Sequence, residues 1–408
     1  MKCRFCGEEL HHVFIDLVNS PASNSFITFE QLNAPETFYP LKVFTCGNCF
    51  LVQLDEYKKS DDIFNEDYVY FSSYSTSWLK HVEQYTDMMV DRFSYDENSL
   101  IVEIASNDGY LLQYFRKKNI PVLGIEPTEN TARVARDRGI ESISDFFGTA
   151  LAQKLCEKNI KADLLLGNNV LAHVPDINDF VRGMKIILKA EGVITMEFPH
   201  LMQLVDNNQF DTIYHEHFSY LSFHSVSMIF ESQGLVLFDV EEISTHGGSL
   251  RIFAKHEEDN SRDISPKVPA LLHKEMEKGM TSLLWYSDFT RKALKVKLDL
   301  LAFLIKQKTE NKKVAAYGAA AKGNTLLNYC GVKNDLIDYV VDANPNKQNK
   351  FLPASHIPVR DEMFLKKDKP DFIIIFPWNL KEEIIEQLSY AKEWGAKFVI
   401  PIPELQII

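Results

Sequence analysis

The sequence predicts an α/β protein in three consecutive parts: a small cysteine-bearing module over residues 1–65, a main domain over 66–260 built on a parallel sheet, and a helical connection leading into a second, smaller α/β unit over 261–408. Three observations predict it. Four of the six cysteines fall within the first 49 residues as two Cys-x2-Cys pairs; strand, polar turn and helix alternate from Leu100; and the same alternation resumes near Lys313 after a long helical stretch.

A chain of 408 residues is too long for one ordinary core and is expected to divide into two or three. The longest apolar runs, such as "FIIIFPW" from Phe372, fall far short of the roughly 20 residues of a spanning helix, so no membrane association is expected. "MKCRFCGEEL" lacks the basic-then-apolar layout of a secretory signal, and so few cysteines do not suggest a disulfide scaffold; the expected location is the cytoplasm. A net charge of -13 disfavours nucleic acid and anionic membrane, which both require a basic footprint.

The cysteine module reads as a structural zinc site. In "CRFCG" and "CGNCF", two residues between thiolates let both sulfurs of a pair reach one ion. Cys3, Cys6, Cys46 and Cys49 together close a tetrahedral shell with no open position for chemistry. His11 and His12 read as surface residues. In "EDYVYFSSYSTSWLKHVEQYTDMMVDRF" a Tyr- and Ser-rich loop passes into helical spacing through Trp78, Val82, Tyr85 and Met89. Tyr70, Ser73 and Tyr74 are candidates either to face a ligand or to cap a core edge.

From Leu100, "LIVEIASNDGYLLQYFRKKN" is strand, tight turn and helix; "PVLGIEPT", "ADLLLGNNVLAHVPD" and "GVITMEFPH" supply three further strands. Strands alternating with helices imply a parallel sheet covered on both faces, with ligands beyond the carboxyl ends of its strands. Glu126 ends the second strand, placed to accept ribose hydroxyls. Ala105 and Asn107 stand where a dinucleotide fingerprint has glycine, leaving only Gly109, which favours a nucleoside ligand without phosphates. "THGGSLR" reads as a tight turn around His246, either pocket wall or plain hairpin. Residues 266–307 are mainly helical, and "KVAAYGAAAKGNTLLNYCG", "IDYVVDANPNKQNKF", "DFIIIFPWN" and "KFVIPIP" lead the strands of the second unit.

"VEIASNDGYLL", "GIEPT", "NNVLAHVPD", "YHEHFSYLS" and "THGGSLR", with the amino-terminal cysteines and "GAAAKGNTLLNY", resemble in matching order the S-adenosylmethionine-dependent sugar C-methyltransferases of deoxysugar biosynthesis. The resemblance implies a class I methyltransferase Rossmann-like core and a Rossmann-like carboxyl-terminal domain that helps to enclose a nucleotide-diphosphate ketosugar, with a dTDP 4-ketosugar the expected substrate. Carried over by position, it implies Glu103, Ala105, Asp108 and Gly109 at the methionine end of S-adenosylmethionine, Glu126 at its ribose, Asp145 and Phe146 at the adenine edge, and Asn168 in the fourth-strand wall.

Methyl transfer to a saturated carbon needs that carbon made nucleophilic, and a neighbouring ketone allows this as an enolate. The reaction requires a base, best a histidine with an acidic neighbour to fix its tautomer, and an oxyanion stabiliser. "YHEH" supplies these residue types: His217 as the base, Glu216 orienting it, and Tyr214 or His173 bonding the oxyanion, with His215 spare. An extended segment would put His217 and Glu216 on opposite faces, so this assignment requires a turn. A metal site at His-Glu-His lacks a further ligand. "GAAAKGNT" fits P-loop spacing at Gly318, but Asn324 holds the lysine position. Gly318, Lys322 and Asn324 are therefore candidates to hold the substrate diphosphate at a helix amino terminus, or simply pack a helix on its sheet. Tyr70, Tyr74 and His246 complete the expected substrate wall. The rival readings are a sugar O-methyltransferase and an inactive zinc-ribbon binding protein; a monomer or weak homo-oligomer is expected.

Overall fold

A computed structural model describes residues 1–59 and 71–408; Tyr70 lies outside the described residues. The amino-terminal strands β1 (His12–Ser20), β2 (Tyr39–Thr45) and β3 (Val52–Leu54) form an antiparallel sheet. In the main domain follow β4 (Ile101–Ile104), β5 (Val122–Ile125), β6 (Ser142–Ile143), β7 (Ala162–Asn168), β8 (Leu188–Pro199), β9 (Ser219–Tyr220), β10 (Leu235–Ile243) and β11 (Ser249–His256). Strand β9 leaves its own domain and pairs with β3. The other seven form a sheet in the order β10-β11-β8-β7-β4-β5-β6. From β8 to β6 it is parallel; β11 and β10 close it as an antiparallel hairpin.

The sequence "IVEI" of β4 is buried throughout, as a parallel strand covered on both faces must be. Its side chains alternate between two cores. Ile101, with Leu164 and Leu166, packs with Val82 and Tyr85 of α1 (Thr76–Phe93) and Phe115 of α2 (Leu112–Lys117). Val102 and Ile104, with Leu165, pack with helices α3 (Thr149–Glu157), α4 (Ile177–Ile187) and α5 (Phe223–Glu231) on the other face. Helix α1 begins where Ser75 accepts the Trp78 amide hydrogen at 3.3 Å, a capping bond that stabilises by about 1 kcal/mol. The chain runs outward from β4 to β6 and returns to β7 on the other side. A crevice therefore opens beyond the carboxyl ends of β4 and β7.

The helical stretch is broken at Gly279, whose φ of +87° ends α6 (Lys267–Glu277), and restarts as α7 (Phe289–Thr309) after a single helical turn at Leu283–Tyr286. Strands β12 (Val314–Tyr317), β13 (Tyr339–Val341), β14 (Val359–Arg360), β15 (Phe372–Ile375), β16 (Lys397–Ile400) and β17 (Gln406–Ile407) form a second sheet, ordered β14-β13-β12-β15-β16-β17. The order of strand addition reverses between the parallel neighbours β12 and β15, next to the start of α8 (Ala321–Cys330).

The cysteine module has no core of its own. Its knuckles, through Cys46, Cys49 and Leu51, belong to the core of the main domain. Its sheet, through Phe14, Ile15, Val43 and Leu54, belongs to that of the carboxyl-terminal unit; the Phe14 and Phe289 rings stack at 4.7 Å. Among the described residues no helix is long and apolar enough to cross a membrane.

Candidate active site

The four cysteine sulfurs lie within 4.8 Å of one another, with Cys3 to Cys49 at 3.6 Å and Cys6 to Cys46 at 3.5 Å. A tetrahedral zinc with bonds of about 2.3 Å holds sulfurs roughly 3.8 Å apart, so the set fits the ion. The Gln53 side-chain amide donates to Cys3 at 3.2 Å and the Asn48 amide to Cys46 at 3.4 Å, the outer support that thiolate ligands need.

At the carboxyl end of β4, Ala105, Asn107 and Gly109 all take left-handed backbone, with φ of 57°, 49° and 76°. The loop therefore keeps a glycine-type path although two of the three are not glycine, at a cost of about 1 to 2 kcal/mol for Ala105 and less for Asn107, whose short polar side chain tolerates this region. Glu103 is fully buried, with the Tyr110 hydroxyl near enough to oppose its upward shift; Asp108 Oδ1, Asn168 Nδ2 and Asn169 Oδ1 are buried with no hydrogen-bond partner among the described residues. Burial, then the neighbouring charges of Glu126 and Asp108, push the Glu103 carboxyl well above its usual range. Arg138 is 3.2 Å from the other Asp108 oxygen. Unpartnered acceptors and a surplus of buried carboxylates suit a cationic polar ligand, so these residues fit the ammonium-bearing end of S-adenosylmethionine. Glu126 is already engaged: it accepts from the amides of Asn107 and Thr128, each at 2.9 Å, and from the Thr128 hydroxyl. Asp145 and Phe146 are exposed just beyond β6, and it is Phe147 that packs inward, edge-on to Phe180.

"YHEH" folds as the tight turn that the expected assignment requires, the His217 amide donating to the Tyr214 carbonyl at 2.9 Å. His217 Nδ1–H donates to the Thr212 carbonyl at 2.8 Å, leaving Nε2 as the basic nitrogen. His173 Nδ1–H donates to the Glu216 carbonyl at 2.7 Å, and the two imidazoles meet edge-on at 4.7 Å. Tyr214 lies against His217 with ring centroids 4.0 Å apart. Burial holds both histidines neutral, His173 down to about 4 and His217 well below its usual range.

The orienting role expected of Glu216 is corrected. Its carboxylate accepts two bonds from Asn24, at 2.8 and 3.0 Å, because the turn directs it away from the imidazole toward the amino-terminal module. The backbone carbonyl of Thr212 orients His217 instead. His215 also serves structure, its Nε2 3.2 Å from the Pro40 carbonyl.

Several expected substrate contacts are also corrected. Gly318 (φ +89°) makes a close backbone approach, since an added Cβ would lie 2.5 Å from Pro377. The loop amide of Ala319 is already taken by the Asp342 carboxylate at 2.8 Å, which would repel a phosphate. Asn324 is buried and donates to the Ser23 carbonyl at 2.6 Å, closing the domain junction. Tyr74 is 67% exposed and does not line the crevice. His246 is brought in: it holds a left-handed position in the β10–β11 turn, 3.0 Å from Asn169 Nδ2 and with its ring 5.3 Å from Trp78. Lys322 is brought in too, half-buried with Nζ 2.9 Å from Asn379 Oδ1 and 4.4 Å from the Trp378 ring centroid.

Asp211, Thr212, Trp78, Asn169 and Trp378 were not legible as site residues. Asp211, a lone acid in the apolar "NQFDTIY", carried the clearest signal. It is 1% exposed, accepts from Trp378 Nε1–H at 2.7 Å, and is pushed up to about 6 by burial.

Three family models match in order along the chain: a zinc binding domain over residues 3–64, a methyltransferase domain over 78–240 and a C-methyltransferase C-terminal domain over 244–403. C-methyltransferase NovU of Streptomyces niveus is 34% identical across 100% of this chain and 96% of its own length. The ubiquinone biosynthesis O-methyltransferase of Bartonella quintana is 29% identical over 24% of this chain and 40% of its own. Among solved structures, the PH0226 protein of Pyrococcus horikoshii covers 46% of this chain and 95% of its own at 14% identity and a TM-score of 0.39. Magnesium protoporphyrin IX methyltransferase from Synechocystis, with S-adenosylmethionine bound, covers 43% and 78% at 14% identity and a TM-score of 0.33. Since the likeness to NovU runs from end to end, through the cysteine module, the methyltransferase sheet and the carboxyl-terminal unit alike, this chain belongs to the C-methyltransferase family.

Proposed function

We propose that the enzyme C-methylates a nucleotide-diphosphate 4-ketosugar, with thymidine the first nucleotide to test, at a ring carbon beside the ketone. S-adenosylmethionine supplies an electrophilic methyl group on a sulfonium. Glu103, Asp108 and Asn168 bind its amino-acid end; Glu126 faces its ribose, and Asp145 and Phe146 its adenine edge.

The observation that carries the reading is the neutral His217, with Nδ1–H spent on a backbone carbonyl and Nε2 left basic. Nε2 takes the proton beside the ketone. Tyr214 flanks it, at 4.0 Å between ring centroids, and offers a phenol hydroxyl to the developing oxyanion; the neighbouring His173 is neutral with its N–H spent on the Glu216 carbonyl, so the oxyanion role expected of it passes to Tyr214. The carboxyl-terminal unit closes over the sugar through Lys322 and Trp378, which favours a substrate that reaches both sheets over a small free ketone. Among the described residues no helix is long and apolar enough to cross a membrane.

Incubation with a panel of dTDP 4-ketosugars and the methyl donor, followed by NMR of the product, tests the reading. A new methyl on a ring carbon is expected. His217→Asn should lose about 10²- to 10⁴-fold in turnover, the usual share of a general base, with cofactor affinity retained. A methyl found on oxygen would replace this reading with sugar O-methylation.

A further inference from the structure

We propose that Lys322, delivered from the carboxyl-terminal unit, is a catalytic residue that donates a hydrogen bond to the substrate ketone oxygen as the enolate forms. This rests on the reaction proposed above and adds an electrophile to it.

The position of Lys322 follows from how α8 docks. Thr325 Oγ1–H donates to the Ile213 carbonyl at 2.9 Å, so this face of the helix lies on the chain that leads into the Tyr214–His217 turn. Lys322 precedes Thr325 by three residues and shares that face, one turn closer to the helix start and the cleft. Trp378 holds it there. Its indole N–H is bonded to Asp211, and its ring packs so closely on the His246 turn that a Cβ on Gly247 would lie 2.5 Å from it. Asp211, one residue before Thr212, has its second oxygen buried and unpartnered among the described residues. The lysine charge reaches Asp211, His217 and His246 alike, opposing the upward shift of the first and adding to the downward shift of the two histidines.

A role in holding the diphosphate fits less well. The backbone turn at Gly318 is closed by Asp342, so a phosphate beside it would meet a carboxylate, while the Lys322 ammonium is directed to Asn379 and Trp378. The chemistry also calls for such a group. A histidine held so firmly neutral is a weak base toward a carbon acid, and the deficit must be met where charge develops.

In the step, the C–H bond beside the ketone breaks and its proton passes to His217 Nε2. The bonding pair forms the carbon-carbon double bond, and the carbonyl π pair moves to oxygen, against the Lys322 ammonium, which keeps its proton. The enolate carbon then takes the methyl group, the donor sulfur keeping the bonding pair, and His217 releases its proton to solvent.

The test uses the full-length enzyme with a dTDP 4-ketosugar and S-adenosylhomocysteine in deuterated water, where exchange of the proton beside the ketone is followed by NMR. Binding of dTDP and of S-adenosylhomocysteine is measured in parallel. Lys322→Met is expected to lower exchange and kcat by about 10²- to 10³-fold, the usual loss for one oxyanion donor, with both ligands bound as in the wild type. Lys322→Gln serves if the first variant no longer binds S-adenosylhomocysteine. A parallel loss of dTDP affinity would make Lys322 a phosphate ligand and overturn the proposal, as would exchange at the wild-type rate. If the wild-type enzyme neither exchanges nor methylates any ketosugar, the proposed reaction itself fails and this role falls with it.

Discussion

At the residue scale, the site depends on what the surroundings do to individual protons. Burial depresses His217 below its ordinary value, so the unfolded chain binds protons that the folded chain refuses. The stability this residue contributes is present above about pH 6.5 and lost as pH falls below it, by the usual linkage. Raised carboxyls such as Glu103 and Asp211 act in the opposite sense, so only a difference between variants isolates the histidine. Relative to the wild type, His217→Asn should be more stable at pH 5 than at pH 7.5, as read from denaturant midpoints; an unchanged difference would mean that His217 is not held neutral. Glu216 makes the contrasting case. Because its carboxylate bonds Asn24 rather than His217, Glu216→Gln should keep turnover within about an order of magnitude of wild type, far above the loss expected for removing a general base. Equal losses in Glu216→Gln and His217→Asn would restore the orienting role to the carboxylate.

At the scale of elements, the loop after β4 and the start of α8 decide how much the site tolerates. Gly109 has φ +76°, and an added Cβ would lie 2.5 Å from Ile140 Cδ1 and 3.3 Å from Ala135 Cβ. Gly109→Ala should therefore destabilise by about 1 to 3 kcal/mol. Ala105 already bears its Cβ in a left-handed position, so Ala105→Gly relieves that cost against a loss of about 0.5 to 1 kcal/mol in chain entropy and should leave thermal stability unchanged or raised. Calorimetric melting of the two variants checks the contrast. Trp378→Phe leaves the buried Asp211 carboxylate without its donor, which should cost about 1 to 3 kcal/mol and loosen the contact between the two sheets. Faster proteolysis at the junction between main and carboxyl-terminal domains would report it.

At the scale of the whole molecule, the cysteine module is a wedge whose knuckles sit in one core and whose sheet sits in the other. Zinc ligation is folding free energy in closed thiolate sites, so Cys46→Ser or chelation should destabilise both larger domains together. Near-UV signals from the main and carboxyl-terminal units should melt in one shifted transition; a carboxyl-terminal unit that melts independently would show that the shared core does not couple them. The sequence by itself determined the order of the three parts and the leading strands of each α/β unit, though not β9 or the antiparallel β10–β11 hairpin. Continuous apolar strands such as "IVEI" and "FIII", the Cys-x2-Cys spacing and the helical period through Val82, Tyr85 and Met89 are local patterns, set by burial and by ligand reach within a few residues. It also singled out the chemistry of "YHEH" and the need for a turn there. Only the tertiary structure decided which group orients His217, that Asn24 claims Glu216, and that Lys322 and Trp378 arrive beside Asp211 from more than a hundred residues along the chain. Those pairings depend on the crossing of two sheets and on which way a side chain leaves a turn, and no local period encodes either.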